Sequence, residues 1–296
     1  MTRSFVTILA LLPAVSASAA EGGAAVPLDA KPLFGDQSLL SFFTNSIFVA
    51  LLVTGLIVWF VRGAMKNPQL KPGRKQNVVE YLVEFLYGQT EKIVGPKIAP
   101  QAFPLLATIF LFVTIANWCG LLPGVGTIGF DVHDGHVGTP LLRPATADMN
   151  MTVGIALTAL VIWWVITIRE MGFGGFLHHT FGPKGGLTGF LKNALMPIFI
   201  IVGLIEIVSI VFRPVSLSLR LYGNVFAGEN LLHAMGALVK TGKAWIDFPC
   251  SVLLQLPFYF LELLVGVLQG MVFALLNAVF IKLSTTHEEH GDAHAH

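Results

Sequence analysis

The sequence predicts an all-α, polytopic membrane protein of about five transmembrane helices, with a long, strongly tilted C-terminal helical hairpin and one amphipathic helix on the membrane surface. Three observations lead there. Of 296 residues, 54% are hydrophobic and only 12% are charged, and the mean hydropathy is +0.75, the profile of a chain built for lipid. Five apolar runs, at about 39–61, 103–122, 151–168, 193–239 and 251–283, are long enough to cross a bilayer. The segments between them alternate in charge. With 18 basic and 17 acidic residues the net charge is +1, so no global field points to nucleic acid or to an acidic substrate.

The opening MTRSFVTILALLPAVSASAAEGG is basic at Arg3, apolar from Phe5 to Val15, and rich in small residues from Ala17 to Ala20. This is the pattern of a cleaved signal peptide over 1–20, which leaves 21–296 as a single integral membrane domain with its N-terminus outside; an uncleaved interfacial segment is the alternative. The first span follows, and then Arg62, Lys66, Lys71, Arg74 and Lys75, a basic loop that belongs on the cytoplasmic side. In NVVEYLVEFLYGQTEKIVG the apolar residues recur at helical spacing among too many charges for a span, so this helix lies along the cytoplasmic surface.

The second span ends at Pro123 and Gly124, and the loop beyond it carries Asp131, Asp134 and Asp148 against Arg143 alone, an external signature. His133 and His136 in that loop are candidates for holding a cation or collecting protons. Arg169 and Glu170 close the third span, and Lys184 and Lys192 return the chain to the inside. The run 193–239 is about twice the roughly 20 residues that a perpendicular helix needs. It is therefore either two short spans, whose turn in RPVSLSLRLYGN would lie at or near a membrane surface, or one tilted helix, which is favoured because tilt relieves mismatch on this scale. Paired with 251–283 it makes a hairpin, and the C-terminus is cytoplasmic. Cys119 and Cys250 form neither a disulfide framework nor a metal site and read as packing residues, and the His-rich tail reads as solvated.

Inside the hairpin sit Glu206, Arg213, Arg220 and Glu229 on one run, and Glu262, Gln269 and Asn277 on the other. Each charge at membrane depth costs about 2.5–3.5 kcal/mol on insertion scales, so this many mark a function. Glu206, Arg213 and Arg220 are seven apart and share a stripe, as do Glu262 and Gln269; Glu229, nine after Arg220, points to the other side. Pairing of Glu206 with Arg213, merely to hold the fold, is the plain alternative for those two. For Arg220 no carboxylate lies three or four positions away, so its counter-charge must come from another helix or another chain.

SLSLRLYGNVFAGE resembles the signature of subunit a of the F-type ATP synthase family. Three further stretches are similar to that family and in its order: NWCGLLPG at Asn117–Gly124, PATADMNMT at Pro144–Thr152, and LQGMVFALLNAVFIKLSTTHEEH near the C-terminus. The resemblance implies that Arg220 is the family's essential arginine, that Asn224 and Glu229 line an ion path, and that Glu262 and Gln269 are their partners, with Gln269 positioned to hold Arg220. Glu206 and Asn277 complete the candidate ion-translocation set. The family often has histidine at one member of the Glu229 and Glu262 pair; here both are glutamate.

The implied role is non-catalytic: protons pass through two half-channels to and from carboxylates of a c-subunit ring, and the complex, not this chain, makes or hydrolyses ATP. The partners implied are the c-ring, the b-subunit stator stalk, the remaining synthase subunits, the lipid of a bacterial inner membrane and protons, with sodium as the alternative ion. No cofactor, metal or nucleic acid is implied. Two rival classes lack their own signals, since a secondary transporter shows paired halves with broken helices, and an intramembrane enzyme shows a string such as HExxH or GxSxG.

Overall fold

The computed structural model describes residues 44–122, 129–133, 136–140, 144–181, 190–238 and 244–285; the stretch read as a signal peptide and the His-rich tail lie outside them. The described chain forms six α-helices: α1 (Asn45–Ala64), α2 (Arg74–Val94), α3 (Ala99–Gly120), α4 (Met149–Phe181), α5 (Phe190–Leu238) and α6 (Ala244–Thr285). All except α2 are long and apolar enough to cross a membrane, so the protein is an all-α, multi-pass membrane protein. Between α3 and α4 the loop holds a small antiparallel hairpin, β1 (Gly129–His133) with β2 (His136–Pro140), in which Gly129 pairs with Pro140 and His133 with His136.

Local chemistry sets the helix ends. The Thr44 hydroxyl accepts the Ile47 amide at 3.4 Å and so caps α1. Gly95, at φ +88°, stops α2 in a conformation that a side chain would resist. The carboxylate of Asp148 accepts the Asn150 amide at 3.0 Å at the start of α4. Gly172, at φ +71°, then breaks the direction of α4, and the helix goes on to Phe181, well past the span expected to end near 168.

No turn interrupts α5. Its 49 residues pass through Pro197 and Pro214 as one helix, roughly 70 Å long at about 1.5 Å per residue. Tilt accommodates that length in a bilayer. The 42-residue α6 runs back beside it.

The last helix is the spine of the bundle because one face of it is small. Gly266, Gly270, Ala274 and Ala278 follow at every fourth position, and a Cβ on Gly270 would collide with the Thr114 hydroxyl and lie 3.1 Å from the Phe110 carbonyl. Backbones approach closely where side chains are absent, the usual way helices associate in lipid. Around that contact Leu106, Phe110, Trp163, Ile166 and Ile281 form one core cluster. A second cluster joins Leu105, Ile109, Val113, Leu217, Leu221 and Phe273, and it docks the middle of α5 against α3, α4 and α6.

Candidate functional site

The seam between α5 and α6 brings the predicted polar residues together in antiparallel register. Asn224 donates from Nδ2 to Gln269 Oε1 at 2.8 Å. One turn along α5, the Glu262 carboxylate occupies the space that a side chain on Gly228 would fill. A further turn on, Gln255 Nε2 donates to the Leu232 carbonyl at 3.0 Å. Glycine at 228 is what admits a carboxylate to the α5 backbone, and it does so one residue from Glu229, whose Oε2 is buried. Two acidic residues thus stand at one level of the α5–α6 pair.

Arg220 stands apart. Leu217 and Leu221 turn inward and are buried, whereas Arg220 is exposed on the outer side of α5. Among the described residues no carboxylate lies within 4 Å of its guanidinium. Gln269 is expected from the sequence to hold it; among the described residues no hydrogen bond joins the two, and the Gln269 amide oxygen accepts from Asn224, one turn beyond Arg220. The same helical stripe carries Ser209, Ser216, Gly223 and Ala227, all small, and a Cβ on Gly223 would meet nothing within 4 Å. A permanent cation therefore sits on a smooth, open strip of helix.

The remaining candidates lie toward the other end of the hairpin. Arg213 shares the stripe by spacing, yet its guanidinium turns into the bundle and lies 4.3 Å from the centroid of the Phe280 ring and 5.8 Å from that of Trp163. No ion pair within 4 Å joins it to Glu206 among the described residues, and Glu206 acts on it from a longer range along the same helix. Glu206 is half-buried on α5. Asn277 is buried beside Arg213 and donates from Nδ2 to the Phe273 carbonyl at 2.8 Å. His133 and His136 face each other as a backbone pair across the small hairpin.

Sequence reasoning missed the residues that set the depth of Glu262. Trp118 donates from Nε1 to the Leu263 carbonyl at 3.2 Å and so ties the end of α3 to α6 beside Glu262. One residue earlier, Asn117 Oδ1 accepts the Thr146 hydroxyl at 2.5 Å, with both side chains buried. Gly120 lies against the Pro144 ring so closely that a Cβ would overlap it. Asn117–Gly120 and Pro144–Thr146, from two stretches that looked like separate features, are two halves of one packed corner.

Comparison with known proteins agrees over most of the chain. The family model described as ATP synthase A chain matches residues 45–282. A protein named ATP synthase subunit a from Anaeromyxobacter dehalogenans (strain 2CP-C) is 31% identical over 274 residues, 90% of this chain and 65% of that protein. Its namesake from Pseudomonas fluorescens (strain SBW25) is 32% identical over 237 residues, 79% of each chain. Another, from Acidothermus cellulolyticus, is 27% identical over 255 residues, 85% of this chain and 79% of that one. The chain spans less than two thirds of the length of the two Anaeromyxobacter dehalogenans relatives, 65% and 58%.

Proposed function

The chain belongs to the ATP synthase A chain family, and from that premise we propose that it is the stationary, ion-conducting membrane subunit of an F-type ATP synthase in a bacterial inner membrane. Its partners are the other synthase subunits. The exposed stripe of α5 faces a ring of c subunits, each bearing a carboxylate at membrane depth, and a b-subunit stalk holds the chain still. Protons enter from outside past Glu229, Glu262 and Asn224 and leave to the cytoplasm past Glu206 and Asn277.

One observation supports this reading above the others: Arg220 is an exposed guanidinium without an ion pair among the described residues, and the stripe around it is open enough for another helix to come close. A guanidinium keeps its proton in any protein environment, so it attracts a carboxylate only in the ionised form. At about 4 Å and an effective dielectric near 20, that attraction is roughly 4 kcal/mol. The membrane potential contributes about 2.3 kcal/mol per charge per 100 mV. The fixed charge therefore outweighs the field locally, and a passing carboxylate gives up its proton before it faces Arg220. The same cation repels free protons and keeps the two access paths apart.

The seam supplies the outer path with groups suited to relaying a proton. Glu229 and Glu262 each hold or release one, and the Asn224–Gln269 pair keeps the two helices in register next to Arg220. Arg220→Ala tests the role. Proton-driven ATP synthesis by the assembled complex is abolished in that variant, and coupled synthesis at the normal rate would remove Arg220 from the mechanism.

A further inference from the structure

We infer that Arg213 is a positioning residue for conduction: a second fixed cation, clamped on aromatic faces of α4 and α6, that braces α5 where Pro214 weakens it and so holds Arg220 in place. This rests on the ion-conducting reading of Arg220 proposed above.

A guanidinium inside a membrane bundle must be compensated by a carboxylate, by carbonyl oxygens or by ring faces. The close contacts of Arg213 are of the third kind, with Phe280 at 4.3 Å and Trp163 at 5.8 Å, and the Glu206 carboxylate acts on it from farther off. The Trp163 ring is anchored to α6. Trp163 donates from Nε1 to the Phe280 carbonyl at 3.1 Å and to the Ser284 hydroxyl at 3.0 Å, and Ser284 also receives the Thr167 hydroxyl at 3.3 Å. Arg213 is thus the third leg of a joint that ties α4, α5 and α6 at one level.

The next residue explains why a brace is needed there. Pro214 has no N–H to give the Ile210 carbonyl, so the helix lacks a rung beside the joint. Six residues further on is Arg220, on the far side of that soft point from Glu206. Ser218 adds a tie from α5 to α4 at the same level, donating to the Pro214 carbonyl at 2.6 Å and to the Thr152 carbonyl at 3.3 Å. The clamp holds the two halves of α5 in one orientation, and the cation–π contact does so without cancelling the positive charge. Glu206 attracts that charge from along the same helix.

The test uses inverted membrane vesicles containing the assembled complex, with the amount of this chain measured alongside proton uptake driven by an imposed potential. Arg213→Met is expected to lower proton uptake about tenfold at unchanged chain content, and Arg213→Lys to restore most of it, because the ammonium keeps the cation on the rings. Phe280→Leu should resemble Arg213→Met, and the double variant should be no worse than either. The inference is overturned if Met and Lys variants both conduct normally. It is equally overturned if both lose conduction in step with lost chain content, since the residue would then serve only the fold. Arg220→Ala run in parallel separates the two levels: coupled synthesis in that variant refutes the underlying reading, whereas its loss beside a fully active Arg213→Met refutes the brace alone.

Discussion

Asn224 and Gln269 join α5 to α6 through a hydrogen bond of 2.8 Å, and of the two only Gln269 is buried. The buried partner fixes the exposed one, so the outer side of α5 next to Arg220 is held from inside the bundle. Replacing Gln269 with leucine conserves apolar packing and removes the acceptor. A net hydrogen bond is worth about 1 kcal/mol, so proton conduction should fall about fivefold while the complex still assembles. Asn224→Ala combined with Gln269→Leu should be no slower than the slower single variant, because both remove the same contact. Additive losses in proton-flux measurements would show that the two amides act separately.

Gly228 matters for what it lacks. Any Cβ there takes the place of the Glu262 carboxylate. Gly228 is buried, so the helix-propensity advantage of alanine, about 0.5–1 kcal/mol, is set against the displacement of the Glu262 side chain, and a stability assay alone should show little net change. Conduction should nevertheless drop, and Glu262→Asp added to Gly228→Ala should recover part of it by withdrawing the carboxylate by one methylene. Full proton flux in Gly228→Ala would show that the position of Glu262 on the seam is unimportant.

Gly270 and Gly223 make a contrasting pair. At Gly270 a larger side chain meets the Thr114 hydroxyl and the Phe110 carbonyl, so Gly270→Leu should cost about 1–3 kcal/mol of overpacking and lower the thermal stability of the detergent-solubilised chain. At Gly223 nothing stands within 4 Å, and Gly223→Leu should leave that stability unchanged. If the open stripe receives a neighbouring helix, Gly223→Leu slows ATP synthesis all the same. Unimpaired synthesis by a stable Gly223→Leu variant would mean that nothing packs there.

Much of this architecture was legible because lipid imposes few choices. Runs of apolar residues had to be helices, and the excess length of 193–239 pointed to one inclined helix through the arginines. The register of the hairpin was not legible. Spacing of seven puts Glu206, Arg213 and Arg220 on one stripe, but Arg213 bends inward to Phe280 while Arg220 stays outside, a divergence set by rings on two other helices. The extension of α4 past Arg169 was hidden because Gly172 reads as a loop residue, yet one positive φ lets a second helical piece follow. The small β-hairpin had a signal, the Asp134–Gly135 dipeptide between two short runs, that the acidity of the loop obscured. Trp118 could not be singled out by sequence, since a tryptophan at the end of a span is ordinarily an interface residue rather than a hydrogen-bond donor to another helix.

The most direct measurement is the distance from the Arg220 guanidinium to the nearest carboxylate in an experimental structure of the assembled synthase in lipid. The expected result is a carboxylate of an adjoining ring subunit within about 4–6 Å, reached across the strip of Ser216, Gly223 and Ala227. A guanidinium that faces bare lipid, or that is salt-bridged to Glu206 or Glu262 of its own chain, would contradict it.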